Sequence, residues 1–219
     1  MTRLFTYTIP VDDGAAPNPF HGMCTLTICK PGIRRVAERG DWVAGLCSKR
    51  APSSDLSRRL VYAMRVDDVL TLEDYDMRAI EEWPHRIPNL QSDDLNERLG
   101  DCIYDYSREP PRQRRSVHGP QNVDTDLSGK NALISRHFYY FGRSAISLPE
   151  ALWEICYQTQ GHRSNSNAPF VDEFVLWLEN QEFAPGQHGQ PDYVIDWNDG
   201  ASCSRCTGRQ QDGENDNSY

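Results

Sequence analysis

Residues 60–66, Leu-Val-Tyr-Ala-Met-Arg-Val, are the feature that most constrains the fold of this chain. β-branched and aromatic side chains are enriched in strands, and this run is the strongest strand pattern in the sequence. Strands must pair to satisfy their backbone hydrogen-bonding groups, so the sequence predicts a sheet. Weaker strand-like runs lie at residues 4–9, 24–29, 41–45, 133–135 and 137–142.

Helical patterns are short and lie mostly late in the chain. Pro31 stands near the start of a predicted helix over residues 33–39, which Gly40 ends. Residues 149–157 and 171–181 carry amphipathic patterns. Together these elements predict an α+β fold, with a small curled mixed sheet or β-barrel, one short helix inserted between the second and third strands, and C-terminal helices.

The length of 219 residues fits one domain with a tail. We predict a single domain over residues 1–199, with its core in residues 1–142 and its C-terminal helices in residues 143–199. Residues 200–219 are rich in Gly, Asn and Asp, and we expect them to be disordered. Residues 84–131 have few apolar runs, which predicts a functional loop or an insertion.

Cysteine usage and hydropathy indicate the compartment. No stretch approaches the roughly 20 apolar residues that span a bilayer, and the N-terminus lacks a signal-peptide pattern. We therefore expect a cytoplasmic protein with no membrane partner, whose seven cysteines are mostly reduced. Cys203 and Cys206 form a single CxxC pair without a second pair or a nearby His, so we expect no metal and no cofactor.

Charge is distributed unevenly along the chain. Residues 1–65 hold 10 Lys and Arg against 5 Asp and Glu, whereas residues 66–219 hold 13 against 27. A basic region of this kind can contact phosphates while the acidic remainder limits non-specific binding to DNA. An ordinary solvated surface is the alternative. The candidate phosphate-binding residues are Arg34, Arg35, Lys49 and Arg50.

Cys29 and Lys30 lie at the junction between a strand and a short helix. A helix N-terminus and an adjacent lysine both stabilise a thiolate, so Cys29 has the setting of a nucleophile. An inert, buried Cys29 is the alternative, and Cys24 is read as a core residue. The predicted catalytic set is Cys29, Lys30 and Asp101. Further candidates for a general base are His118, His137 and Asp124.

Four side chains could bind a base. The amide of Asn18, held between two prolines, could donate to and accept from a base edge, or it could only shape its loop. Trp42, Tyr62 and Tyr140 could stack on a base that has been flipped out of a duplex. Strand aromatics also commonly fill a core, which is the alternative for all three.

Several runs, in this order, resemble the nucleotide modification associated domain 2 family. The resemblance covers residues 1–142, and its runs are residues 16–20, 25–31, 33–35, 40–42, 59–64 and 138–142. More distantly, the order of elements is similar to the PUA-like barrels of EVE and ASCH domains. The family resemblance implies a place in systems that build or handle hypermodified bases in DNA.

The resemblance implies DNA or a nucleotide carrying a modified base as the partner, with other modification enzymes as further partners. One hypothesis is an enzyme that converts the nitrile of 7-cyano-7-deazaguanine in DNA to an amide, with Cys29 as nucleophile. The alternative is a non-catalytic reader of a modified base that recruits modification or restriction enzymes. A third hypothesis is a scaffold whose acidic C-terminal part docks a basic partner.

Overall fold

The computed structural model describes residues 1–48, 58–156 and 161–192. The strands are β1 (Leu4–Ile9), β2 (Cys24–Leu26), β3 (Trp42–Cys47), β4 (Arg59–Arg65), β5 (Asp68–Thr71), β6 (Tyr104–Asp105), β7 (Arg112–Gln113), β8 (Asn131–Ser135), β9 (His137–Tyr140), β10 (Ile146–Ser147) and β11 (Gly186–Gln187). The α-helices are α1 (Pro31–Val36), α2 (Leu72–Glu81), α3 (Leu95–Arg98), α4 (Val123–Ser128) and α5 (Val171–Glu179). Short 3₁₀ helices cover Pro84–Arg86, Pro120–Asn122, Gly142–Ser144, Glu150–Ile155 and Asn165–Phe170.

The strands form two main sheets that share long, bent stretches of chain. The larger sheet has the order β1-β3-β4-β9-β11, with β10 also paired to β4, and it mixes parallel and antiparallel pairs. The smaller sheet has the order β2-β8-β5 and is antiparallel. Two residues join β4 to β5, and one residue joins β8 to β9, so at both connections the chain passes directly from one sheet into the other. This geometry curls the whole β-structure.

The α+β prediction is confirmed, and the sheets are open: no barrel closes among the residues that the structure describes. The short helix predicted over residues 33–39 begins and ends earlier, at Pro31–Val36, because Ala37 already has an extended backbone. The stretch predicted as an amphipathic helix over residues 149–157 is 3₁₀ helix at Glu150–Ile155. Residues 84–131 hold short helices and the β6-β7 hairpin rather than one long loop.

The larger sheet is covered on both faces, and alternation along β3 shows how the sequence achieves this. Val43 and Cys47 face a core cluster that includes Ile33 of α1. Trp42 faces the opposite cluster, which includes Phe174 of α5. Side chains on the two faces are therefore separated by the sheet itself, and this matters for the predicted base-binding residues.

Arg86 fixes the loop before β2 to the segment after α2. Its side chain is fully buried, and it donates to the Asn18 amide oxygen at 2.6 Å and to the carbonyl oxygens of Phe20 and Met23 at 2.8 and 2.5 Å. Asn18 in turn donates to the carbonyl oxygen of Leu99 at 2.9 Å. These bonds give both terminal nitrogens of the buried guanidinium oxygen acceptors, which makes such burial tolerable, whereas its Nε has no hydrogen-bond partner among the described residues.

We expect Arg86→Met to lower the free energy of unfolding by about 3 kcal/mol, because it leaves several buried oxygen acceptors without donors. Urea unfolding followed by circular dichroism measures the change. Arg115→Met is the matched control, since Arg115 is exposed, and it should shift the free energy by less than about 0.5 kcal/mol. Equal losses in the two variants would contradict a role for Arg86 in fixing the loop.

Candidate active site

Cys29 lies on a short linker between β2 and α1 with an unusual backbone. Its φ is 58° and that of Lys30 is 40°, so two successive non-glycine residues have left-handed conformations. Such residues cost free energy and cluster at functional sites, where surrounding contacts hold them. The contacts here are hydrogen bonds to the Cys29 backbone: its N–H donates to Asp126 Oδ1 at 3.0 Å, and its carbonyl oxygen accepts from Arg34 Nε at 2.7 Å.

His118 faces the Cys29 sulfur. Its Nε2 lies 3.4 Å from Cys29 Sγ, and its Nδ1 lies 2.6 Å from Asp126 Oδ2. Burial alone lowers the pKa of His118, but the facing Cys29 sulfur and the hydrogen bonds to Asp126 and Cys29 raise it well above its ordinary value. A raised pKa favours the protonated imidazole, and a cationic ring next to a sulfur is the setting that stabilises a thiolate.

Asp126 completes the arrangement from α4. Its side chain is 1% exposed, and Tyr104 donates its hydroxyl to Oδ2 at 3.0 Å. One carboxylate thus accepts from the Cys29 backbone, the His118 ring and the Tyr104 hydroxyl. Cys29, His118 and Asp126 have the arrangement of nucleophile, base and orienting acid that thiol enzymes use for attack on carbon.

Cys29 differs from the other cysteines that the structure describes. Cys24 and Cys102 are buried, and burial raises the pKa of each thiol well above its ordinary value. Burial also raises the pKa of Cys47 and of Cys156 to about 11. A thiol whose pKa is raised by burial is a poor nucleophile at neutral pH. Cys29 alone among these five has a histidine ring nitrogen facing its sulfur.

Lys30 and Asp101, the other predicted catalytic residues, do not contact the sulfur. Lys30 is half-buried, and its Nζ lies 4.9 Å from the centre of the Tyr7 ring. Asp101 is buried and accepts from Thr25 at 2.5 Å and from Tyr75 at 2.7 Å. The carboxylate beside His118 is Asp126 instead.

The four predicted base-binding residues do not surround one hollow. Asn18 is 1% exposed and its amide is already bonded to Arg86 and Leu99. Trp42 is 2% exposed and faces the α5 side of the larger sheet. Tyr62 and Tyr140 are fully buried in the cluster on the α1 side.

The predicted phosphate-binding residues also separate. Arg34 is fully buried and donates only to main-chain oxygens in the bonds that the structure shows. Arg35 is exposed and lines an open groove with a volume of about 590 Å³. The positive charges of Arg3 and Arg39 in this groove are offset by the negative charges of Glu38 and Asp68. Lys49 and Arg50 lie outside the described residues, as do Cys203, Cys206 and the tail.

A second group of buried polar side chains lies on the same side of the sheet. Tyr140 donates its hydroxyl to the Asp12 carboxyl oxygens at 2.8 and 2.9 Å, and the hydroxyls of Tyr7 and Tyr62 are 2.9 Å apart. Burial raises the pKa of Asp12 to about 7. Burial also raises the pKa of Asp13, which the charge of His118 partly counteracts. The carboxyl group of Asp13 therefore interacts electrostatically with His118.

The family comparison agrees with the resemblance seen in the sequence. The family model "Nucleotide modification associated domain 2" matches residues 1–200. The chain belongs to this family. Membership associates it with nucleotide modification. No curated protein and no solved structure matches the chain.

Two further observations concern the described residues. Among the described residues, no group of three or more His, Cys, Asp or Glu side chains is placed to hold a metal ion. None of the helices in the same ranges is both long and apolar enough to cross a membrane.

Sequence reasoning named Cys29, the thiol of this arrangement, and named His118 only among several candidate bases. It missed Asp126, because the contact joins residues 97 positions apart in the chain. The spacing of eight residues between His118 and Asp126 matches no short motif, so only the fold brings the three side chains together.

We expect His118→Gln to slow alkylation of Cys29 by iodoacetamide at pH 6 about tenfold or more, because the thiolate loses its cationic partner. Mass spectrometry of peptides from the full chain measures alkylation at each cysteine. Cys156 is the internal control, and its rate should not change. An unchanged Cys29 rate would show that His118 does not stabilise the thiolate.

We expect Asp12→Asn to alter the pH dependence of stability. Because the folded-state pKa of Asp12 is raised to about 7, the folded chain holds a proton that the unfolded chain releases above about pH 4, so wild-type stability falls as the pH rises through this window. Asparagine can still accept from Tyr140 but cannot ionise.

The advantage of the Asp12→Asn variant over wild type in free energy of unfolding should therefore grow by about 2–3 kcal/mol between pH 5 and pH 8. Urea unfolding at the two pH values measures it. A constant difference between variant and wild type would contradict the raised pKa.

Proposed function

We propose that this chain is a cysteine-dependent enzyme that acts on a modified base in DNA or in a nucleotide. The observation that carries the proposal is the contact of Cys29 Sγ with His118 Nε2 at 3.4 Å, with Asp126 bonded to the opposite ring nitrogen at 2.6 Å. Family membership supplies the class of substrate, and the triad supplies the class of reaction, which is attack of sulfur on an electrophilic carbon.

Conversion of the nitrile of 7-cyano-7-deazaguanine to an amide is the specific reaction that we propose. The Cys29 thiolate attacks the nitrile carbon and forms a C–S bond. The carbon–nitrogen bond falls from triple to double, and the nitrogen takes the proton that His118 carries on Nε2. The product of this step is a thioimidate, with His118 now neutral and still oriented by Asp126.

Hydrolysis of the thioimidate restores the enzyme. Neutral His118 takes a proton from a water molecule, whose oxygen forms a bond to the thioimidate carbon. The remaining hydroxyl proton moves to the nitrogen as the carbonyl forms, and the C–S bond breaks with Cys29 leaving as thiolate. One nitrile and one water give one amide, and the thiolate–imidazolium pair is regenerated.

The non-catalytic reader is less well supported by the geometry. A reader that stacks a flipped base needs aromatic rings at a surface, whereas Trp42, Tyr62 and Tyr140 are at most 2% exposed and lie on two faces of a sheet. A reader also has no use for a histidine and a carboxylate aligned on a thiol. The acidic tail of the scaffold hypothesis lies outside the described residues.

We expect Cys29→Ala to reduce turnover of cyano-modified DNA at least about 10³-fold, because the covalent step is lost. Liquid chromatography and mass spectrometry of the released nucleosides measure nitrile and amide. Cys156→Ala is the matched control, since Cys156 packs against the cluster on the α5 side of the sheet, and it should keep wild-type turnover. Full turnover by Cys29→Ala would refute the mechanism.

The same mass spectrometry on DNA from cells with and without this gene tests the substrate. The nitrile-bearing nucleoside should accumulate, and the amide should disappear, when the gene is deleted. A change in a different modified nucleoside would refute the nitrile as substrate but leave the Cys29 chemistry in place. Unchanged nucleosides together with selective binding of modified DNA would favour the reader.

A further inference from the structure

Arg34 is a buried cation beside the triad. Its side chain is fully buried, and in the described part of the chain no carboxylate oxygen lies within the 4.0 Å that defines an ion pair with it. Its three hydrogen bonds go to main-chain carbonyl oxygens: Nε to Cys29 at 2.7 Å, Nη1 to Asn131 at 2.9 Å and Nη2 to Asp126 at 2.5 Å. Burying a charge without a direct counter-charge is costly, which calls for a reason.

The shape of the site is built around this guanidinium. The Arg34 N–H donates to the Lys30 carbonyl oxygen at 3.1 Å, which turns α1 so that the side chain reaches back to Cys29. Gly129, just after α4, leaves the space that the group fills, because a Cβ at Gly129 would collide with Arg34 Cζ. The planar fork of arginine thus joins the linker of the nucleophile to the helix of the acid.

We infer that Arg34 is a positioning residue that balances the negative charge of the Cys29–His118–Asp126 unit, in which His118 and Asp126 are buried, and so keeps the thiolate available. This inference rests on the proposed function. When the proton resides on His118, the thiolate, imidazolium and carboxylate together carry one negative charge. Arg34 brings the total to zero, so neither Asp126 nor Cys29 needs to take up a proton to neutralise the unit.

The other charged and titratable groups near the sulfur include Lys30, Tyr7, Asp13 and Tyr104. Lys30 faces the Tyr7 ring rather than the sulfur, and Asp13 adds negative charge on the side of His118. Tyr104 is bonded to Asp126 as a neutral donor. The buried positive charges of the unit are therefore His118 and Arg34, and only Arg34 keeps its charge through a catalytic cycle in which His118 gives up and regains a proton.

Alkylation of Cys29 by iodoacetamide as a function of pH, with the full chain and peptide mass spectrometry, tests the inference. Arg34→Gln removes the charge, and we expect the midpoint of the pH profile to rise by about one pH unit or more, a tenfold loss of rate below the midpoint. Arg34→Lys keeps the charge while losing most of the hydrogen bonds, and we expect a rise below about 0.3 pH unit. Arg39→Gln removes an exposed charge just after α1 and should leave the midpoint unchanged.

Equal rises for Arg34→Gln and Arg34→Lys would overturn the inference, because the role would then be hydrogen bonding alone. If circular dichroism shows that Arg34→Gln is unfolded, Gly129→Ala decides the question, since it displaces the guanidinium without removing it. A raised midpoint in Gly129→Ala together with a near-wild-type midpoint in Arg34→Lys supports the inference, and any other result overturns it.

The inference and the proposed function fail separately. Alkylation needs no substrate, so an unmoved midpoint in Arg34→Gln overturns the role of Arg34 whatever the turnover of cyano-modified DNA. Full turnover by Cys29→Ala refutes the enzyme mechanism, whatever the alkylation profile.

Discussion

The site depends on the hydrogen bonds that the Asp126 carboxylate accepts. It accepts from the Cys29 backbone N–H at 3.0 Å, from His118 Nδ1 at 2.6 Å and from the Tyr104 hydroxyl at 3.0 Å. One bond holds the linker of the nucleophile in its left-handed conformation, and another orients the ring that faces the sulfur. The geometry of the linker and the orientation of the imidazole are thus set by the same group.

The rest of the fold brings that carboxylate into place. The chain between β5 and β8 supplies both His118 and Asp126, and buried polar contacts fix this segment to the smaller sheet, such as the hydrogen bond at 2.5 Å that the Thr25 hydroxyl of β2 donates to Asp101. Residues 84–131 are poor in apolar runs, so buried polar contacts add to the two apolar clusters that hold this segment against the rest of the fold.

Local patterns predicted the α+β class, the order of the N-terminal strands and the setting of Cys29, because strand propensity and the Pro31 helix start are properties of neighbouring residues. They could not predict the partners of Cys29, which come from about 90 residues further along the chain. For Trp42 and Tyr62, a strand aromatic beside a basic region suggested a binding surface. Alternation along the strands instead buries the two rings on different faces of the larger sheet. Arg34 was expected at a phosphate, and its burial follows from the space at Gly129, which no local pattern reveals.

The order of the site residues along the chain has a consequence for biosynthesis. Cys29 leaves the ribosome long before His118 and Asp126 do, so in the nascent chain its thiol has neither an imidazole beside it nor an acceptor for its N–H. An unactivated thiol reacts slowly with cellular electrophiles. The contacts of Cys29 with His118 and Asp126 therefore form only once α4 has been synthesised and packed, and an incomplete chain ending before residue 118 lacks both.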